Sequence, residues 1–219
     1  MFEGIARLIH DNHNDCMNVD RATREIHRSR ILTAASELFR ARGVDGVSLA
    51  EVSSAAGLTH GAFYGHFASK ASLAQAACRS AADEAVLRWR GRAEDARACG
   101  EDPLTAIIDR YLTLAHCDDA GGGCALAALG ADAGRTDAAA IAGPLVEMAN
   151  ALVGVLADEL AARNPARALE DCLTAARGAI VAMQGGLIMA RTMRHGARGE
   201  LAALEILAAA RMTARRALD

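Results

Sequence analysis

From Gly57 to Lys70 the chain reads Gly-Leu-Thr-His-Gly-Ala-Phe-Tyr-Gly-His-Phe-Ala-Ser-Lys, which places two imidazoles, a phenol, two hydroxyls and an ammonium within fourteen residues. The run holds a turn, a short helix and a phosphate-binding corner, and is too short for most other chemistry. It reads as the DNA-facing half of a helix-turn-helix. Gly57 can take the positive φ at which a preceding helix stops, and Thr59 offers its hydroxyl as N-cap to the next helix. On that helix Phe63 and Phe67, four apart, face the core together, which leaves His60, Tyr64 and His66 pointing outward. Three of the seven Phe, Tyr and Trp residues fall at 63, 64 and 67, and Lys70 is the only lysine.

The elements that must carry this run precede it. Ile31, Leu32, Ala35, Leu38 and Phe39 mark one face of a first helix that ends near Gly43. Ser48-Leu-Ala-Glu51 is a capping box, and Leu49, Val52 and Ala56 give the second helix its buried stripe. Three helices thus occupy about fifty residues, the second and third joined by a tight turn.

The run Ala56 to Leu73, with Ile31-Leu-Thr-Ala-Ala-Ser-Glu-Leu-Phe39 ahead of it, resembles the TetR family of bacterial transcriptional regulators. The resemblance covers roughly residues 28 to 75. It implies that Tyr64, His66 and Lys70 hold DNA phosphates, and that Thr59, His60 and Gly61 approach base edges or phosphates. Ser48, at the head of helix two, completes the residues expected at the DNA. Gly65 stands where a larger polar or aromatic side chain is usual, and Ala68 replaces a frequent proline.

Charge is distributed to match. Residues 21–70 hold seven Arg and Lys against four Asp and Glu, a net of +3, while residues 1–20 and 71–219 each carry −3. A basic module on an acidic body suits a protein that meets DNA with one end. The expected division is a flexible arm over 1–20, a helix-turn-helix DNA-binding domain over 21–70, and a ligand-binding and dimerisation domain over 71–219. Alternatively the segment is a lead-in outside the family pattern, or follows an upstream start codon with Met17 as the real one. It carries His10, Asp11, His13 and Asp15 where a signal peptide needs an apolar core, and no segment reaches eighteen consecutive strongly apolar residues. A cytoplasmic protein with no membrane partner is expected. Six cysteines show no paired C-x-x-C spacing, so no disulfide framework, metal site or cofactor is expected.

After the motif the chain reads as helical to its end, giving an all-α fold of about nine helices. Ser69 caps a fourth helix through Leu73, Ala77, Ala81 and Leu87 toward Gly100, and Asp102-Pro103 opens a fifth. The glycine-rich stretch Asp118–Gly123 breaks it. No Gly-Lys-Ser/Thr follows that stretch, so it reads as an interhelix loop. A sixth helix is expected over Cys124–Ala133, a seventh over Asp137–Arg163 with Pro144 as kink or first turn, an eighth from Asn164-Pro165 to Arg194, and a ninth over 198–217. Ala176, Ala179, Ala182, Gly185 and Gly186 give helix eight a small-residue side, and Leu201, Leu204 and Leu207 or Ala208 give helix nine an apolar stripe. Both expose more apolar surface than a monomer usually does, and the resemblance implies a homodimer through these two helices.

The resemblance also implies a small-molecule effector bound among helices four to eight, with Trp89, Tyr111, His116, Met148, Met183 and Gln184 as lining candidates. The function expected is a regulator, most often a repressor, released from palindromic operator DNA by that molecule. The alternative is a thiol sensor on the same scaffold. Cys117 and Cys124 flank the glycine loop, and a reactive thiolate needs positive charge or a helix N-terminus beside it. An enzyme using His116, Cys117 and Asp118 is disfavoured, because three consecutive residues cannot all face one point.

Overall fold

Local signals set most helix ends. The computed structural model describes residues 3–134 and 139–219, and the side chains of all of these except residues 3–20, His60 and Ala62. Among them are ten α-helices, one 3-10 turn and no strand: α1 (Glu3–Arg42), α2 (Leu49–Ala55), α3 (His60–Phe63), α4 (Lys70–Ala98), α5 (Pro103–Tyr111), α6 (Leu114–Asp118), α7 (Ala125–Leu129), α8 (Ala139–Arg163), α9 (Leu169–Met193) and α10 (Gly199–Leu218). Ser69 caps α4 through the Ser72 amide, and Asp102 caps α5 with Pro103 at its first position. α4 ends where Gly100 takes φ +73° and the Glu101 and Gly100 amides donate to the Ala96 and Arg97 carbonyls. That pair of bonds is a Schellman ending.

Several elements differ from the sequence reading. Residues 3–20, read as an arm, form the first turns of α1. The extra helix α6 appears because Leu112 leaves helical geometry at ψ +66° and Thr113 caps a new turn through the His116 amide. The expected sixth helix is divided into α7 and a 3-10 turn over Asp132–Gly134. Asp137 lies outside the described residues, and Pro144 sits inside α8. Asn164-Pro165 forms a separate turn, its Asn164 carbonyl taking the Arg167 amide, so α9 begins at Leu169. Leu87 points to solvent, and Ala85 and Trp89 take the inner face of α4 instead.

One continuous core runs from Ile31, Phe39, Phe63 and Phe67 through Leu73, Ala77 and Ala81 of α4 into Leu152, Leu156, Met183 and Leu207. α4 lies against α8, and α9 and α10 form the most extensive helix pair. α8 and α9 are long and apolar enough to cross a membrane by length and composition. Here Leu145, Met148, Leu152, Leu156 and Leu160 of α8 fill the core.

The small-residue side of α9 is used within the subunit. Ala176 and Ala179 are fully buried, and a Cβ on Gly186 would collide with Cβ of Ala210, so the Ala210 methyl packs on the backbone of α9 there. Leu207 is likewise buried. The exposed large apolar residues of these two helices are Leu169, Val181, Ile188, Met189 and Met193 of α9 and Leu201, Leu204 and Met212 of α10.

Candidate nucleic-acid interface and interior cavity

The capping box at α2 is complete. Ser48 Oγ accepts the Glu51 amide, and Glu51 Oε2 accepts both the Ser48 amide and its hydroxyl, each at 2.8 Å. With Arg42 at 2.8 Å on the other carboxylate oxygen, these bonds hold the Glu51 carboxyl down at about 2, the Ser48 amide contributing most. The Ser48 hydroxyl proton is therefore already committed to Glu51. At the other end of α2 the Leu58 and Gly57 amides donate to the Ser53 and Ser54 carbonyls, with Gly57 at φ +69°. This Schellman turn sets the angle at which α3 leaves.

α3 is a single turn, shorter than the helix expected to run to Phe67. Tyr64, Gly65 and His66 lie in the turn that follows, with the His66 and Phe67 amides both donating to the Phe63 carbonyl. Thr59 and Gly61 are exposed, with nothing within 4 Å of a Cβ at Gly61. His60 heads α3, and its side chain lies outside the described residues. Phe63 is fully buried and Tyr64 stands edge-on to it, 60% exposed. Lys70, half-buried at the head of α4, points Nζ at the Asp45 carbonyl, 3.5 Å away.

Residues of α1 that sequence reasoning missed join this surface. His27 meets the His66 ring edge-on at 6.2 Å, and the Arg28 guanidinium lies 4.7 Å over Phe67. The available signal was Arg24, His27 and Arg28, one helical face of α1, opposite a basic motif. Partial burial lowers the His66 pKa, and His27, Arg24 and Arg28 lower it further against a smaller opposing effect of Glu25. A phosphate beside His66 would reverse that balance and draw a proton onto the ring. Duplex binding by the wild-type chain is therefore expected to take up a proton and to strengthen severalfold, up to about tenfold, as pH falls from 7.5 to 6. His66→Asn should flatten this profile, and an equally steep one in the variant would detach His66 from the phosphates.

Inside the helical body, a cavity of about 390 Å³ opens between α4, α5, the α6–α7 loop and α8. Of the six lining candidates, Trp89, Tyr111 and His116 border it, as does Cys124. Met148 and Met183 do not: both are buried core residues packed away from it, 1% and 0% exposed. Gln184 stands beside Cys124, its amide nitrogen 3.5 Å from Sγ. Three residues that sequence reasoning did not select, Arg88, Arg92 and Arg110, also border the cavity.

His116 is fixed by its loop. Its Nε2 accepts the Cys124 amide at 3.1 Å, so Nδ1 carries the proton and donates to the Tyr111 carbonyl at 2.6 Å. A second proton would face the Cys124 N–H. Burial, more than any other influence, lowers the His116 pKa. Cys117 is buried, and burial followed by the Asp118 carboxylate pushes its thiol up. Asp118 is paired with Arg194 through two 2.8 Å bonds. The His116 ring and the Asp118 carboxylate thus have separate partners, and neither is the Cys117 thiol.

The loop holding these residues also reaches α1. Arg191 of α9 donates to the carbonyls of His116, Cys117 and Asp119, and Arg40 Nε of α1 donates to the Gly121 carbonyl. Gly121 lies against the Glu37 backbone, where a Cβ would come within 3.4 Å of the carbonyl oxygen.

The family model described as bacterial regulatory proteins, tetR family, matches residues 31–77. The HTH-type transcriptional regulator TtgR of Pseudomonas putida is 47% identical over 49 residues, 22% of this chain. The chain spans 23% of the length of that relative. Over the whole fold, a structure described as the molecular basis for control of antibiotic production by bacterial hormones is 28% identical with a TM-score of 0.62, covering 85% of this chain and 96% of its own. NemR of E. coli in its reduced form has the same fold at 18% identity and a TM-score of 0.67, covering 85% and 97%.

Proposed function

From a chain that belongs, through its helix-turn-helix domain, to the TetR family of bacterial regulatory proteins, we propose a cytoplasmic homodimeric repressor that a small molecule releases from a palindromic operator. The supporting observation is the loop His116–Cys124. It borders the cavity on one side and holds α1 through Arg40 on the other. A molecule that displaces His116 or Asp119 would shift Gly121, and with it the helix carrying Arg24, His27 and Arg28. Release requires that this molecule bind the DNA-incompetent arrangement more tightly, since equal affinity for both arrangements shifts nothing.

The DNA surface is assigned to Thr59, His60, Gly61, Tyr64, His66 and Lys70, with Ser48 fixing the angle of α2. The domain division proposed is 21–70 for DNA and 71–219 for ligand and partner. Lys70 is the first residue of α4, so the hinge between the two parts is a helix head. No observation favours a thiol sensor at Cys117, whose burial opposes the thiolate.

Selection of bound duplexes from random DNA tests the proposal. The expected consensus is palindromic, with two half-sites about one helical turn apart. A pool without enrichment would remove the regulator reading for this chain.

A further inference from the structure

The charges around the cavity do not balance. Three guanidiniums, Arg88 and Arg92 of α4 and Arg110 of α5, border it with a single carboxylate, Asp119. Asp119 is engaged by its own loop, accepting the Gly122 amide at 2.6 Å. Among the described residues Arg88 pairs with Glu84, at 4.0 Å on an exposed surface. Among the described residues Arg92 and Arg110 have no hydrogen-bond or ion-pair partner, and the charges that act on Arg92 are those of Arg88 and Arg110, which with burial lower its pKa. His116, whose Nε2 accepts the Cys124 amide, supplies no negative charge. Arg88 and Arg110 are exposed and Arg92 half-buried, so three like charges gather at the mouth of a concave site, an arrangement that favours an anion able to take paired bonds from them. The rest of the lining sets Trp89, Tyr111, Ala85 and Leu152 beside the polar Thr113 and His116. The Tyr111 hydroxyl, buried close to Cys124 and Gln184, makes no hydrogen bond of normal geometry.

We infer that this cavity takes a small organic oxyanion, an apolar or aromatic body bearing a carboxylate or a phosphate, with Arg88, Arg92 and Arg110 holding the negative charge and Trp89 and Tyr111 bordering the body. The inference names the ligand class of the proposed effector site, and only its consequence at DNA rests on that reading. The volume fits a ligand at the small end of the usual range for pockets, roughly 300–1,000 Å³. Planar guanidiniums meet an oxyanion through paired bonds, a geometry a neutral amide or ester does not offer.

Trp89 is the only tryptophan of the chain and lines the cavity, so its fluorescence reports occupancy directly. The experiment titrates the full-length protein with benzoate, phenylacetate, octanoate and phenyl phosphate, each against its neutral amide, methyl ester or alcohol. Comparing benzoate with phenyl phosphate separates the two oxyanions. The anion of a pair is expected to bind at least about tenfold more tightly than its neutral partner. Arg92→Gln or Arg110→Gln should reduce that ratio to near one, while Arg90→Gln, exposed on the same helix and away from the cavity, should leave it unchanged. Two variants are used so that loss of fold in one, checked by circular dichroism, leaves the other to decide. Neutral compounds binding as tightly as the anions, an unchanged ratio in both variants, or no response to any of the panel would each overturn the inference. Operator affinity is measured alongside. Arginine-dependent anion binding that leaves operator affinity unaltered keeps the anion site and removes the ligand-responsive reading; operator release by a neutral compound that binds better than its anion does the reverse.

Discussion

Val181→Glu and Ile188→Glu are expected to leave a folded monomer that has lost operator affinity by about a hundredfold or more. In the subunit these side chains are 71% and 46% exposed on α9, so a carboxylate at either is hydrated and the fold tolerates it. In the proposed dimer the same positions meet a symmetric copy of α9 and α10, which also expose Met189, Leu201 and Leu204. A charge buried there without a partner costs several kcal/mol, roughly. DNA affinity follows because two linked half-sites gain about a hundred- to ten-thousandfold over one. Ala179→Glu gives the opposite phenotype. Ala179 is fully buried within the subunit, so the charge should unfold the chain rather than separate two folded copies. Sedimentation with circular dichroism distinguishes the outcomes. Val181→Glu and Ile188→Glu proteins that remain dimeric with unchanged affinity would move the interface elsewhere.

That contrast shows where the sequence could be read and where it could not. Caps and stops are local: Ser48 with Glu51, Ser69 with Ser72, Asp102-Pro103 and Gly57 each act within a few residues, and all lie where spacing put them. The small residues of α9 were equally legible as a stripe. A stripe of Ala and Gly permits close approach without saying whose helix approaches. Here α10 of the same subunit takes it, at Ala210 against Gly186. The exposed Val181 and Ile188 sit on another face of α9, which periodicity alone could not rank. The arginines of the cavity were hidden for a related reason. Arg88 and Arg92 lie one helical turn apart on α4, but Arg110 is eighteen residues beyond Arg92, and only the return of α5 across α4 brings the three together. His27 reaches His66 through a similar long-range approach, α1 crossing the turn after α3. The buried Phe63 and exposed Tyr64 are as their spacing led one to expect, whereas Leu87 and the helix start at Asn164-Pro165, also read from near neighbours, are not. α3 fell short of its expected length because Gly65 lies in the turn after Tyr64, and glycine costs a helix interior about 1 kcal/mol relative to alanine.

Lys70→Ala is expected to weaken binding to every duplex by about the same factor, on the order of tenfold, and to reduce the slope of log affinity against log salt by close to one. Lys70 follows the turn that carries Tyr64 and His66. It is the first residue of α4, next to the Ser69 cap, where the amides of a 29-residue helix point outward and favour an anion. Among the described residues its Nζ has the Asp45 carbonyl at 3.5 Å, a weak contact that a phosphate oxygen displaces easily. A phosphate contact of this kind carries no base identity, so its loss cannot change which sequence is preferred. Tyr64→Phe should show the same uniform loss on a smaller scale, since it deletes one hydroxyl and keeps the ring against Phe63. His60 differs in kind. It opens α3, the element expected to enter the major groove, so His60→Ala should redistribute affinity among operators while leaving the salt slope almost unchanged. Competition between specific and random duplexes at several salt concentrations separates these effects. A Lys70→Ala protein whose losses depend on the sequence, or whose salt slope equals that of the wild type, would take Lys70 off the phosphate backbone.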